Sequence, residues 1–243
     1  MENVPFYISI LFGAVTLLTV LFFYKAANYS KPVITLLILW LSAQGIISST
    51  GFYAHFDSIP PRFMLLVLPP LFLILTLFFF KKGRHFIDSL DIKTLNLLHV
   101  IRIPVEIVLF WLFVHKSVPQ IMTFEGRNFD ILSGITAPFI YYFGFIKNKL
   151  DKKIILAWNF LCLGLLINIV SIALLSAPFP FQQLAFNQPN IALAYFPFIW
   201  LPCCIVPLVL FSHLVSIRQL IMNRKIATQE WRPSSTISVK RAV

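Results

Sequence analysis

Apolar runs, each closed by charged residues, organise this chain. Val4–Tyr24 lies between Glu2 and Lys25, Pro32–Phe56 between Lys31 and Asp57, and Phe63–Phe80 ends at Lys81 and Lys82. A fourth run extends from Leu95 to Val114 and a fifth from Ile131 to Ile146. From Ile154 to Ile217 there is no Asp, Glu, Lys or Arg. That is far beyond the ~20 residues one membrane helix needs. Pro178, Pro180, Asn187 and Pro189 punctuate its middle, so it divides into Ile154–Ser176 and Tyr195–Ile217. The pattern predicts an all-α integral membrane protein with a bundle of seven transmembrane helices. The fifth is short: its uncharged run rises only about 24 Å.

Composition agrees: 58% of residues are apolar and 12% charged, half the ~25% charge of a soluble domain. The loops after the first, third and fifth runs, with the C-terminal tail, hold sixteen of the twenty Lys and Arg residues. The opposite loops hold only Arg62, Lys116 and Arg127. By the positive-inside rule the N-terminus is expected outside and the C-terminus in the cytoplasm of a plasma membrane. The first run, preceded by Glu2 and no cation, reads as an uncleaved helix and not a signal peptide. Residues 1–225 are expected to form the membrane domain, and 226–243 a short disordered tail.

In a soluble protein a net charge of +11 would point to a polyanion. Here the excess lies in short loops, where it sets topology and meets anionic headgroups. The bilayer is the expected partner, with a small-molecule ligand and no nucleic acid. Cys162, Cys203 and Cys204 lack the spacing of a disulfide framework or a metal site.

One region breaks the pattern. His99, Arg102 and Glu106 occur inside the fourth run, where an ionised side chain costs a few kcal/mol and normally has a partner. At about 100° per residue the three share one helix face. Arg102 and Glu106 have the i,i+4 spacing of a helix ion pair. Pro104 between them predicts a kink, and Asp88-Ser-Leu-Asp91 predicts a helix start near Ser89. A second group, Glu125, Arg127, Asn128 and Asp130 around Gly126, is expected in the loop outside the fourth and fifth helices, where Asn128 or Asp130 would cap the fifth. An aligned helix start beside Arg127 suits an anionic group.

Other polar residues in the runs, among them Gln44, Ser48, Asn159 and Asn168, read as interhelical hydrogen-bonding groups. His99 and His115 fall on opposite faces of one helix, leaving His99 and His213 as the one conceivable haem-ligand pair. His213 reads instead as an interfacial residue near Arg218. No cofactor is expected. No Lys in the last run offers a retinal Schiff base, and no His-Glu-x-x-His, Gly-x-Ser-x-Gly or P-loop occurs, so no catalytic residue is assigned.

These observations lead to a carrier or sensor that binds a small polar or anionic solute, with Glu106 exchanging a proton. The binding set is His99, Arg102 and Glu106, with Glu125, Arg127, Asn128 and Asp130 on the approach. The alternatives are an intramembrane enzyme acting on a lipid or quinone, and a non-catalytic assembly protein whose ionic stripe pairs with a partner helix.

Overall fold

A computed structural model describes residues 4–230, which are helical without strands. Among the described residues nine α-helices follow in order: α1 Phe6–Ala26, α2 Lys31–Ser49, α3 Met64–Phe79, α4 Lys81–Ser89, α5 Ile92–Leu98, α6 Arg102–Val114, α7 Ile131–Phe139, α8 Lys152–Leu175 and α9 Val206–Glu230. A 3-10 turn, His99–Ile101, joins α5 to α6. π-helical turns extend α7 over Ile140–Ile146 and precede α9 over Leu201–Ile205.

Among the described residues, five helical stretches are long and apolar enough to cross a membrane: Phe6–Ala26, Lys31–Ser49, Ile92–Val114, Lys152–Leu175 and Leu201–Met222. Met64–Phe79 with Lys81–Ser89 makes a sixth if that pair, bent by 96°, is one span. Ile131–Ile146 is shorter. By length and composition this is a multi-pass membrane protein. The tail set apart at residue 226 lies outside the described residues from Trp231 onward.

Several boundaries move from where the charges put them. Lys81–Ser89, expected as a loop, is helical, with Gly83, Ile87 and the adjoining Leu90 buried. The helix expected near Ser89 begins at Ile92, because the capping side chain is Asp91, which accepts from the backbone of Lys93 and Thr94 at 3.3 and 3.1 Å. Asp88 is engaged elsewhere, taking both ends of the Arg218 guanidinium at 3.0 Å. The second helix stops at Ser49, before Gly51 in the left-handed region at φ +75°. The last apolar stretch turns helical only at Leu201, after a 3-10 turn over Ala192–Ala194.

The centre of the bundle is built by α1, α5, α6, α8 and α9. α2 and α3 lie at its edge, burying only Gln44 and Ser48, and Leu66 and Ile74, respectively. Proline chemistry shapes this edge. Pro207 has no N–H for the carbonyl of Cys203, four residues earlier. That oxygen accepts from the Trp40 indole of α2 at 2.9 Å. Trp200 in turn donates to the Leu41 carbonyl at 3.1 Å. Two indoles thus clip α2 to the irregular start of α9.

The two clips differ in consequence, since Leu41 lies within unbroken α2. Trp40→Phe should lower the thermal midpoint of the detergent-solubilised protein by the equivalent of about 1–3 kcal/mol, the cost of a buried carbonyl left unpaired. Trp200→Phe should lower it less. Equal losses would show that the Cys203 carbonyl does not depend on Trp40.

Candidate functional site

The site begins where α5 gives way to α6. The 3-10 turn His99–Ile101 is the irregularity of this span, and Pro104 sits just after it in the first turn of α6, where a missing N–H is tolerated. The expected kink is therefore a tightened turn upstream of the proline. His99, Arg102 and Glu106 are all buried, at 0%, 2% and 2% exposure.

Arg102 and Glu106 do not pair with each other by hydrogen bond. Arg102 Nη1 meets Asp130 Oδ1 at 2.6 Å and reaches the Cys162 carbonyl at 3.4 Å, while Nη2 lies 3.0 Å from His213 Nε2. Glu106 Oε1 accepts from Asn128 Nδ2 at 2.6 Å. Asn128 also donates to the Met122 carbonyl, and its own Oδ1 accepts from the Asp130 backbone N–H at 3.0 Å. The helix spacing favoured an i,i+4 pair, but a carboxylate folding in from the next loop reaches the guanidinium end-on.

That loop does not stay at the mouth of the bundle. Its tightest point needs Gly126, where a Cβ would lie 2.3 Å from the Gln120 carbonyl oxygen. At Gly134 a Cβ would lie 2.8 Å from Ile103 Cγ1 and 3.0 Å from its backbone nitrogen. α7 therefore starts beside Arg102 and Ile103, about halfway along the α5–α6 span, which is why its helix is short. The expected external cluster splits. Asn128 and Asp130 are buried at 0% and 5% exposure, while Glu125 and Arg127 stay on the surface. Asp130 is the N-cap residue of α7, but its side chain caps nothing and is held by Arg102.

Sequence reasoning missed the other half of the cluster. His213 on α9 is fully buried, not interfacial. Its ring stacks on His99 with centroids 3.8 Å apart and planes 13° apart. Face-to-face rings at that spacing leave no room for a porphyrin between them. His213 Nδ1 lies 3.0 Å from Asn159 Oδ1, Asn159 Nδ2 donates to Asn96 Oδ1 at 3.1 Å, and Asn96 Nδ2 donates to Ser216 Oγ at 3.1 Å. A carbonyl acceptor on one side and a guanidinium donor on the other assign His213 the neutral tautomer with its proton on Nδ1. The sequence signal was modest: Asn96 with His99, and His213 with Ser216, each at i,i+3 spacing on one helix face.

A cavity of about 40 Å³ adjoins this network, lined by Arg102, Glu106 and Asp130 and walled by Leu166, Ile169 and Val209 among others. Arg102 Nε and Glu106 Oε2 are buried without a hydrogen-bond partner, as are both ring nitrogens of His99. Among the described residues no group of three or more His, Cys, Asp or Glu could hold a metal ion. The arrangement offers a half-satisfied carboxyl and a guanidinium with one unpaired N–H, carried by two residues that line a space large enough for a water.

The ion pair predicts a non-additive stability pattern. Asp130→Leu alone should destabilise the solubilised protein by about 3–5 kcal/mol by stranding Arg102, whereas the Arg102→Met/Asp130→Leu double variant should recover most of that loss. Unfolding midpoints of wild type, Arg102→Met, Asp130→Leu and the double variant check this; a double variant as unstable as the sum of the two singles would contradict it.

No curated protein and no solved structure matches this chain. A family model, described as a domain of unknown function (DUF8737), matches residues 59–221, which include every residue of the buried network. That match covers more than half of the 243 residues, and the chain belongs to this DUF8737 family.

Proposed function

We propose that this chain is a plasma-membrane protein that binds, or moves with proton coupling, a small polar or anionic solute at the His99–Arg102–Glu106–Asn128–Asp130 site. The observation that carries the reading is Glu106. It is buried, holds one hydrogen bond from Asn128, has its second oxygen unpartnered, and is among the residues that line the small cavity. A carboxyl left half-satisfied in the interior of a membrane helix is costly, and such groups commonly mark proton or solute pathways. Arg102 favours this over an assembly role: its carboxylate lies in the same chain, so no partner helix is needed to neutralise it. Glu125 and Arg127, exposed on the same loop, are on the approach to the site and not part of it.

We further infer seven crossings with the N-terminus outside. α3 and the short α7 would join the five long stretches, and the lysine-rich loops would then share one side. Under this topology Lys149→Cys should react with a membrane-impermeant maleimide only from the cytoplasmic face and Glu125→Cys only from outside; the opposite pattern would overturn the orientation.

The functional reading is tested in liposomes with a trapped pH-sensitive dye and an inward gradient of phosphate, sulfate or glycine. Wild type should carry protons with at least one of them. Glu106→Gln should abolish the flux, and Glu125→Gln should leave it within about twofold of wild type, as expected for an exposed charge. Flux unchanged in Glu106→Gln, or no coupled flux with any of these solutes, would discard the reading.

A further inference from the structure

A groove of about 300 Å³ lies between α2 and α3 and shares no lining residue with the cavity at Arg102. Leu37 and Trp40 stand on one wall, Leu73 and Leu77 on the other, and the start of α9 forms the floor. It exists because α2 packs mainly on α1 and the π turn before α9, and α3 mainly on α4, that turn and α9. Leu36 and Leu73, which line it, are 54% and 44% exposed, so the groove opens sideways. From Val33 to Trp40 it runs about 10 Å along α2.

The depth of one end is set by α4, which is bent 96° from α3. Gly83 permits that bend, since a Cβ there would run into the Leu77 carbonyl. Arg84 Nη1 holds it by donating to the Phe79 carbonyl at 2.9 Å. A short amphipathic helix across the end of a spanning one lies in the headgroup layer. Phe86 of α4 closes the groove at this level, with Phe23 and Val33. The α1–α2 turn is tied to the same level, Asn28 Nδ2 donating to the Ser89 carbonyl at 3.0 Å. The groove therefore starts at headgroup depth and runs into hydrocarbon.

Cations gather at that end. Lys82 sits one turn before Phe86 on the same face of α4, next to Lys81, and Lys31 opens α2 two residues before Val33. All three are exposed. The carboxylates nearest in the chain are engaged: Asp88 takes Arg218, and Asp91 caps α5. Among the described residues no carboxylate pairs with Lys31, Lys81 or Lys82. A second copy of this chain, docked symmetrically on the groove, would bring the same lysines against these. A neutral lipid would leave them without a countercharge. An anionic phospholipid matches both the apolar groove and the charge at its mouth.

We infer that this groove binds one anionic phospholipid from the leaflet in which α4 lies. One acyl chain runs between α2 and α3 to Trp40, and the phosphate sits among Lys31, Lys81 and Lys82. The chain covers a face that α2, which buries only Gln44 and Ser48, leaves without protein packing.

The test uses the full-length protein in mild detergent, with dioleoylphosphatidylglycerol as the anionic probe and dioleoylphosphatidylcholine as its zwitterionic match. Native mass spectrometry should show one retained phosphatidylglycerol, preferred over phosphatidylcholine by about tenfold. Lys31→Gln/Lys82→Gln should bring that preference near unity, the loss expected for two lysines at a membrane surface. Lys147→Gln/Lys149→Gln removes the same charge from the loop after α7 and should leave the preference intact. Phosphatidylglycerol with a diazirine in its acyl chain should label residues 36–40 and 70–77. Leu37→Trp, which narrows the groove, should reduce the adducts of both lipids. No preference for the anionic lipid, an equal loss in the Lys147/Lys149 variant, or labels elsewhere would overturn the inference. So would a Leu37→Trp protein that loses a dimer but keeps its lipid, since the groove would then hold a second copy.

Discussion

The guanidinium of Arg102 is the constraint around which the interior is arranged. An ionised group taken this far from water needs a countercharge and hydrogen bonds to offset its desolvation, and its own helix gives it no hydrogen-bonded carboxylate, since Glu106 turns to Asn128. Asp130 provides the countercharge from a residue twenty-eight positions away. To bring it there, the chain after α6 must fold back into the bundle, which fixes where α7 begins, why Gly134 must lie against Ile103, and where Asn128 meets Glu106. One ion pair thus determines the path of a loop, the length of a helix and the partner of a second carboxyl.

The same arginine joins two halves of a polar network. On one side run Asp130, Asn128 and Glu106; on the other His213, Asn159, Asn96 and Ser216. Together they link α5, α6, α8, α9 and the segment before α7. Apolar helices in hydrocarbon can slide or rotate past one another at little cost, because lipid and neighbouring side chains are equally apolar. A fully directional chain of donors and acceptors removes that freedom. Register along α9, for instance, is set by His213 and Ser216 each finding its partner; a one-residue shift would strand both.

How much of this was legible in the sequence follows from what helix periodicity can carry. The membrane class, the helical nature of the runs and the shared face of His99, Arg102 and Glu106 depend on local spacing, and local spacing is in the sequence. Asp130 as the partner of Arg102 is not, because the pairing depends on a loop reversing direction at Gly126, and a charged loop between apolar runs reads as a surface loop. Asn128 and Asp130 looked like Glu125 and Arg127 for the same reason; only packing sorts two inward from two outward. His213 was misjudged because its one cue, the nearby Arg218, pointed to the interface, whereas Arg218 turns outward to Asp88 and His213 inward to Arg102. The α4 helix was hidden by its lysines, which mark a boundary in a hydropathy pattern but do not prevent a short helix from lying across the end of the bundle.

The final asymmetry is between the two charged residues of α6. Arg102 has Asp130, the Cys162 carbonyl and His213, and only its Nε is left over. Glu106 has one hydrogen bond and one free oxygen. If burial of polar groups served helix packing alone, the carboxyl would be as well satisfied as the guanidinium, since an apolar residue in its place would cost the bundle nothing in stranded charge. The arginine has the partners of a structural group. The glutamate is held by Asn128 alone, and under the proposed reading its second oxygen is the one that exchanges a proton.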